Sequence, residues 1–346
     1  MTTEWEARRV SNWETVWDGV YSRKDNSDPE FNIAAWLSSY TGQPISALEM
    51  QEWVRCSVDR VLALLPKDSQ EKSTILEIGC GTGLLLYRLA SHVQTFIWID
   101  PSENVLKELQ ENLDRKNCKN VVLQKNTATE ISAIQKNSVD VIVLNSVCQY
   151  FPSVQYMLKV IEQALPLLKP GGSIFLGDLR NFDLFNTFHT SVVFEKSSDA
   201  LSVEKLKQQI ERRKLKEPEL LYHPRFFLSL GSRFSETASV DAQVRSANFI
   251  NEMSMFRYDV TIRKKASSAA NATFSCDNFR NNRVQKYLVL EKLLTENKQT
   301  TVGELRQALK LELEKTQPRE TTKALTFSLE ETQFDISGAT NQFAAE

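Results

Sequence analysis

Apolar residues recur at helical spacing near the start of the chain. Trp5, Trp13, Val16, Trp17 and Val20 form one stripe, the mark of an amphipathic helix. Asp25 to Pro29 interrupts it, and Phe31–Ile45 is rich in aromatic and small polar residues. A second helix is expected over Ala47–Leu65, where Leu48, Trp53, Val54, Val58, Val61, Leu62 and Leu65 are apolar and Pro66 stops it. Beyond residue 70 the period changes. Short apolar or β-branched runs at Thr74–Ile78, Thr95–Ile99, Val121–Gln124, Val139–Leu144 and Ser173–Gly177 alternate with helical stretches at Leu84–Ala90, Val105–Asn112 and Val154–Leu168. That alternation predicts a parallel sheet with helices on both faces. Val139–Leu144 is almost wholly apolar and is expected at its centre.

After Asn181 the alternation fades until about Val244. Leu201–Lys216 reads as a charged amphipathic helix and Phe256–Arg263 as a late strand at a sheet edge. Arg280–Leu294 and Gly303–Leu313 read as helices, and Ala324–Glu346, without Lys or Arg, as a tail. The expected organisation is a helical cap or lid over residues 1–70 and an α/β core over 71–265 with an insertion at about 181–250. A helical extension and tail follow over 266–346.

Composition narrows the function. With 42 basic and 44 acidic residues among 346 the net charge is −2, which speaks against a dedicated nucleic-acid binder. Five scattered cysteines with no C-x-x-C pair predict neither a disulfide framework nor a zinc knuckle, and fit a reducing cytoplasm. No apolar run reaches 18 residues, so no membrane span is expected. No cluster of His, Cys and Asp suggests a metal site.

The chemistry concentrates in Glu77-Ile78-Gly79-Cys80-Gly81-Thr82-Gly83, at a strand-to-helix turn. Glycines there let the backbone turn sharply and approach a ligand, at the edge where open α/β sheets bind. Asp100, ending the next strand and followed by Pro101, is placed to accept from two ribose hydroxyls. A dinucleotide site wants G-x-G-x-x-G, whereas here the third glycine comes one position early and Glu77 precedes the loop. That is the E-x-G-x-G-x-G pattern of class I methyltransferases, which use S-adenosylmethionine. On this reading Ala128, Thr129 and Glu130 lie beside the adenine, and Asn145 to Tyr150 face the transferred methyl.

Further segments carry a more specific resemblance. Ile75–Leu86, Leu144–Pro152, Gly177-Asp178-Leu179-Arg180, Phe31–Trp36, Ser38–Gly42, Phe188–Val192, Pro224–Phe227, Asn251-Glu252-Met253, Phe256–Asp259, Asn282-Arg283 and Val302–Arg306 resemble the N-methyltransferase domains embedded in nonribosomal peptide synthetases. The likeness spans about residues 10–310. It implies a Rossmann-like fold with a seven-stranded, mostly parallel sheet, and methyl transfer to an amine, usually that of an aminoacyl group on a carrier protein. The chain opens with its own Met1 and shows no adenylation or carrier sequence. The expectation is therefore a free-standing enzyme that tailors a small-molecule secondary metabolite, with a carrier-tethered amine as the alternative. An oxygen or carbon acceptor and a non-catalytic scaffold stay open. Thr129 departs from an acidic residue usual there, and Glu130 stands beside it.

Methyl transfer to an amine needs alignment with the S–CH₃ axis and removal of a proton. The expected catalytic residues are His189, Glu252, Asn145 and Tyr150. Trp36, Tyr40, Tyr150, Asp178, Arg180 and His189 are expected around the substrate. For Asp178 the alternative is an ion pair with Arg180, and for Glu252 one with Arg257. Trp36, Tyr40 and Trp53 form either a lid or a buried cap.

Overall fold

The computed structural model describes residues 4–21, 28–33, 36–68, 72–79, 81–266, 273–315 and 325–327. Two helices come first, α1 (Glu4–Tyr21) and α2 (Ala47–Leu64), the latter opened by the Ser46 hydroxyl accepting from the Glu49 N–H at 3.3 Å. The alternating part follows: β1 (Thr74–Ile78), α3 (Leu86–Leu89), β2 (Thr95–Asp100), α4 (Glu103–Arg115), β3 (Val121–Lys125), β4 (Val139–Asn145), α5 (Val154–Ala164) and β5 (Leu168–Arg180). These strands pair in the order β3-β2-β1-β4-β5, all parallel. Every residue of β4 is buried. Successive side chains of a strand face opposite ways. Val141 and Val143 accordingly pack with α2, α3 and α4, and Ile142 and Leu144 with α5 and the helices that follow.

The second half holds the helices expected near 201–216, 280–294 and 303–313 and the strand near 256–263, and adds elements that were not expected. Four helices, α6 (Phe185–Lys196), α7 (Val203–Lys214), α8 (Pro224–Leu228) and α9 (Leu230–Arg233), precede β6 (Thr237–Val244), α10 (Glu252–Phe256) and β7 (Arg257–Lys264). Then come β8 (Thr273–Cys276), α11 (Gln285–Glu296), α12 (Val302–Lys315) and β9 (Leu325–Phe327). Among the described residues the sheet has nine strands rather than seven, extended beyond β5 as β7-β6-β8-β9. β7 is antiparallel to both β5 and β6, so it lies inside the sheet and not at an edge. Asp259 on it is only 2% exposed and binds Arg60 and Arg245 at 2.9 and 2.7 Å, while Tyr258, Val260 and Ile262 are fully buried. Of Ala324–Glu346 only Leu325–Phe327 is described; the remainder lies outside the described residues. Among the described residues no helix is long and apolar enough to cross a membrane.

Candidate active site

The C-terminal ends of β1, β2 and β4 meet at one cavity of about 330 Å³. At the end of β1 the chain turns through Gly79 and Gly83 at φ +71° and +83°, a conformation that glycine adopts at no steric cost. The turn is also tight: a Cβ on Gly79 would sit 2.6 Å from Val147 Cγ2. Asp100, ending β2, accepts from the N–H of Gly81 at 3.2 Å and of Ser102 at 2.9 Å. Glu77 is buried, and its Oε2 has no hydrogen-bond partner. Burial first, and then the nearby Asp100 carboxylate, push its pKa up to about 8.

Glu77, Gly79, Gly81, Asp100, Pro101, Ala128 and Asn145 all line the cavity. Cys80 lies outside the described residues. Thr129 and Glu130 do not line it. The Glu130 carboxylate turns back to the Thr127 N–H and hydroxyl, both at 2.9 Å, and the Thr129 hydroxyl lies 3.5 Å from that of Tyr156. Asn126 and Thr127 take the expected place beside Ala128. Such a turn reverses side-chain directions from one residue to the next, which a motif position does not convey.

Beyond Asn145 the cavity continues into a second half. Asn145 Oδ1 has no partner, and its position requires Gly177 on the neighbouring strand, because a Cβ there would overlap it. Tyr150 lines this half and packs against Trp13 and Trp17 of α1, ring centroids 4.6 and 5.0 Å away. Burial holds its phenol well above the usual range, so it is neutral. Glu252, at the start of α10, is 8% exposed and lines the cavity. Both of its oxygens accept from the Ser39 N–H at 3.1 Å. It forms no ion pair with Arg257. That arginine binds Asp178 instead, beneath Trp36.

Several expected substrate residues lie elsewhere. Asp178 is fully buried behind the wall, at φ +62°, and accepts from Trp53 Nε1 at 2.9 Å as well as from Arg257. It is not paired with Arg180. Arg180 lines the cavity but is held by Glu217 and Glu219 at 2.8 and 2.5 Å. Burial by itself would lower the Arg180 pKa; these two carboxylates outweigh it and raise it. Tyr40 does not line the cavity, since its hydroxyl bonds Ser191 Oγ at 2.7 Å and burial raises its pKa. His189 does not line it either. It is 1% exposed, edge-on to Phe185, with Nε2 3.2 Å from Glu217. Burial lowers its pKa despite that carboxylate, so it is a neutral, enclosed ring. Trp36 does line the cavity and packs on Trp53 at 4.6 Å.

Sequence reasoning missed Trp13, Trp17, Glu219 and Arg257 as cavity residues. The tryptophans carried a signal, four residues apart on one helix stripe, that reads equally as packing. Glu219 and Arg257 carried none, because they reach the site from separate elements. α1 is held over the cavity by Glu6, bound to Lys159 at 2.8 Å, and by Asp18, which takes the Ser102 hydroxyl and Asn104 Nδ2.

The donor set bears on the ligand. The first half presents the carboxylates Glu77 and Asp100, and the lining cations Arg180 and Arg257 are both committed to carboxylates. A pyrophosphate would meet the Asp100 carboxylate, whereas a cationic, ribose-bearing group fits, its charge favouring ionisation of the buried Glu77. Among the described residues no three His, Cys, Asp or Glu side chains gather as a metal site.

Comparison with known proteins agrees with this. Residues 69–221 match the family model described as "Methyltransferase domain". The chain is 39% identical over 259 residues to chondramide synthase cmdD of Chondromyces crocatus, covering 74% of this chain and 6% of that protein. It is 31% identical over 262 residues to nonribosomal peptide synthetase dtxS1 of Metarhizium robertsii, covering 73% and 3%. The chain thus spans only a few per cent of the length of these relatives. Among solved structures, phosphoethanolamine N-methyltransferase 1 of Haemonchus contortus superposes with a TM-score of 0.50 at 14% identity, over 83% of this chain and 56% of that one, a likeness of fold. Residues 69–221 are thus a methyltransferase domain, its donor set around Glu77 and Asp100 fits S-adenosylmethionine, and the chain is related in sequence to part of the nonribosomal peptide synthetases.

Proposed function

We propose that the chain transfers a methyl group to the amine nitrogen of a peptide- or alkaloid-type natural product, acting in the cytoplasm. The observation that carries this is Glu252. It is a nearly buried carboxylate in the second half of the cavity, bonded by the Ser39 N–H and facing no lysine or arginine within ion-pair distance among the described residues. An incoming ammonium is its natural counterpart, and a carboxylate there can take the proton that must leave before the nitrogen attacks.

Bound S-adenosylmethionine supplies an electrophilic methyl on a sulfonium sulfur. Glu77 and Asp100 hold the cationic and ribose ends of that group through carboxylate oxygens. Asn145 Oδ1, unpaired and at the junction of the two halves, accepts from the acceptor N–H and aims its lone pair. Tyr150, Trp13 and Trp17 wall the junction with aromatic faces, which favour cations and exclude water. Alignment of this kind supplies several kcal/mol of a barrier.

A second reading is favoured by the relatives, which are peptide synthetases: the amine belongs to an aminoacyl or peptidyl group tethered to a carrier protein. The test is a methyl-transfer assay on free amines, matched alcohols and carrier-loaded amino acids, with wild type beside Glu252→Gln. Transfer to amines that falls about 10²-fold or more in the variant, with cofactor affinity unchanged, is expected. Transfer only to alcohols would refute the amine reading.

A further inference from the structure

Beside the main cavity lies a more open depression of about 430 Å³. The two share Ser39, Arg180, Phe188 and Glu219, and Ser39 is the residue whose N–H holds Glu252. The depression therefore borders the proposed acceptor half across these four side chains and forms a mouth open to solvent. Its outer wall is the last turn of α7 and the residues after it, where Arg212, Arg213 and Lys216 stand together. Residues three and four apart on such a turn are neighbours, and like charges so placed repel.

On the same helix Lys214 binds Glu211 at 2.9 Å and Lys207 donates to Asn297 at 2.8 Å. Arg212, Arg213 and Lys216 form no ion pair among the described residues. The Arg213 guanidinium lies over the Phe188 ring at 5.8 Å, a ring that Arg180 also overlies at 4.9 Å, and its Nε is buried with no hydrogen-bond partner. The two carboxylates nearby, Glu217 and Glu219, are already bound to Arg180. Four cations thus face two anions around this mouth. A helix C-terminus favours cations, but that does not account for an orphaned guanidinium Nε laid against the ring at the entrance.

We infer that this mouth admits the methyl acceptor and that Arg212, Arg213 and Lys216 hold an oxyanion carried at the acceptor's far end. The inference rests on Glu252 marking the acceptor half. Guanidinium and ammonium groups bind phosphate and carboxylate alike through charge-assisted hydrogen bonds. The oxyanion is accordingly either the phosphate ester of a pantetheine-type arm or the free carboxylate of a peptide, the chemistry at the protein being the same.

The test is calorimetric titration of the full chain saturated with S-adenosylhomocysteine. One pair of probes is 4′-phosphopantetheine and pantetheine; the other is a dipeptide and its C-terminal amide. Inorganic phosphate is the control. The expected result is that the anionic member of one pair binds about tenfold or more tighter than its neutral counterpart, in line with one to two charged hydrogen bonds. The pair that shows it identifies the source. The preference should collapse to about twofold or less in the Arg212→Gln, Lys216→Gln double variant, whose positions are exposed, and in Arg213→Gln, with S-adenosylhomocysteine affinity unchanged. Equal binding within both pairs, a preference that survives these substitutions, or inorganic phosphate binding as tightly as the best probe would overturn the inference. These titrations need no turnover, so their failure is distinct from a failure of the amine reading, which the Glu252→Gln assay measures.

Discussion

Glu77 is buried at the heart of the cavity with one oxygen unpaired, and its folded-state pKa of about 8 stands far above the ordinary 4.5. Below pH 4.5 the carboxyl is neutral whether the chain is folded or not, so it costs nothing. Between pH 4.5 and 8 the unfolded chain gives up this proton and the folded chain keeps it, so stability falls as pH rises. At about 1.36 kcal/mol per pH unit the whole loss comes to about 5 kcal/mol, of which about 4 kcal/mol falls between pH 5 and 8. Glu77→Gln carries no proton to lose and removes this slope. Urea unfolding of both proteins at pH 5, 6, 7 and 8 gives the difference directly. The stability of the variant relative to wild type should climb by about 4 kcal/mol across the window. Other groups cancel in that difference. His189 and His223, held low by burial, add an opposite slope below their ordinary 6.5 in both proteins. Glu217, held down at about 2, acts only below pH 5. Parallel profiles for the two proteins would refute the reasoning, and with it the view that Glu77 awaits a cation.

Three further outcomes are expected. Gly177→Ala should fold but lose about tenfold or more in methyl-transfer kcat, because the new Cβ displaces Asn145; an unchanged rate in a steady-state assay would remove Asn145 from the alignment. Asp178→Asn strips the buried countercharge from Arg257 and weakens that of Arg245, 3.8 Å away, so thermal or urea unfolding should show a loss of about 3–5 kcal/mol, and a loss under about 1 kcal/mol would contradict the geometry. Trp13→Ala with Trp17→Ala removes the α1 wall beside Tyr150, and stopped-flow release of S-adenosylhomocysteine should quicken by about tenfold, aromatic pairs being worth about 0.5–1.5 kcal/mol each.

The first half of the sheet was legible because its information is local. Each of β1 to β4 is a short, largely apolar run between turn signals, whereas β5 runs on through Pro170-Gly171-Gly172, and the Glu77–Gly83 loop and Asp100 lie at strand ends that the alternation places on one edge. The second half was not legible in the same way. β6 reads Thr-Ala-Ser-Val-Asp-Ala-Gln-Val, a weak alternation that pairing with β7 and β8 on either side stabilises. Of the charges on β7, Arg257 and Asp259 are spent in buried ion pairs. In the acceptor half the carboxylates and arginines converge from β5, the segment after α7, α10 and the start of β7, and no spacing rule joins residues 180, 219, 252 and 257. Asp178 and His189 stand in matched motifs, yet one props Arg257 and Trp53 from behind and the other sits enclosed between Phe185 and Glu217.

The place of β7 between β5 and β6 has a consequence for how the chain is made. β1 to β5 pair in parallel from contiguous sequence and can assemble as they leave the ribosome. The free edge of β5, however, waits for β7, some 80 residues later, which at roughly 5–20 residues per second is several seconds of synthesis. During that interval an apolar strand edge stands open, a template for joining another nascent chain. The loop-closure entropy of so distant a partner is met only at the end. The cofactor-binding half should thus mature first, and shortened chains ending before Arg257 should be the ones that aggregate.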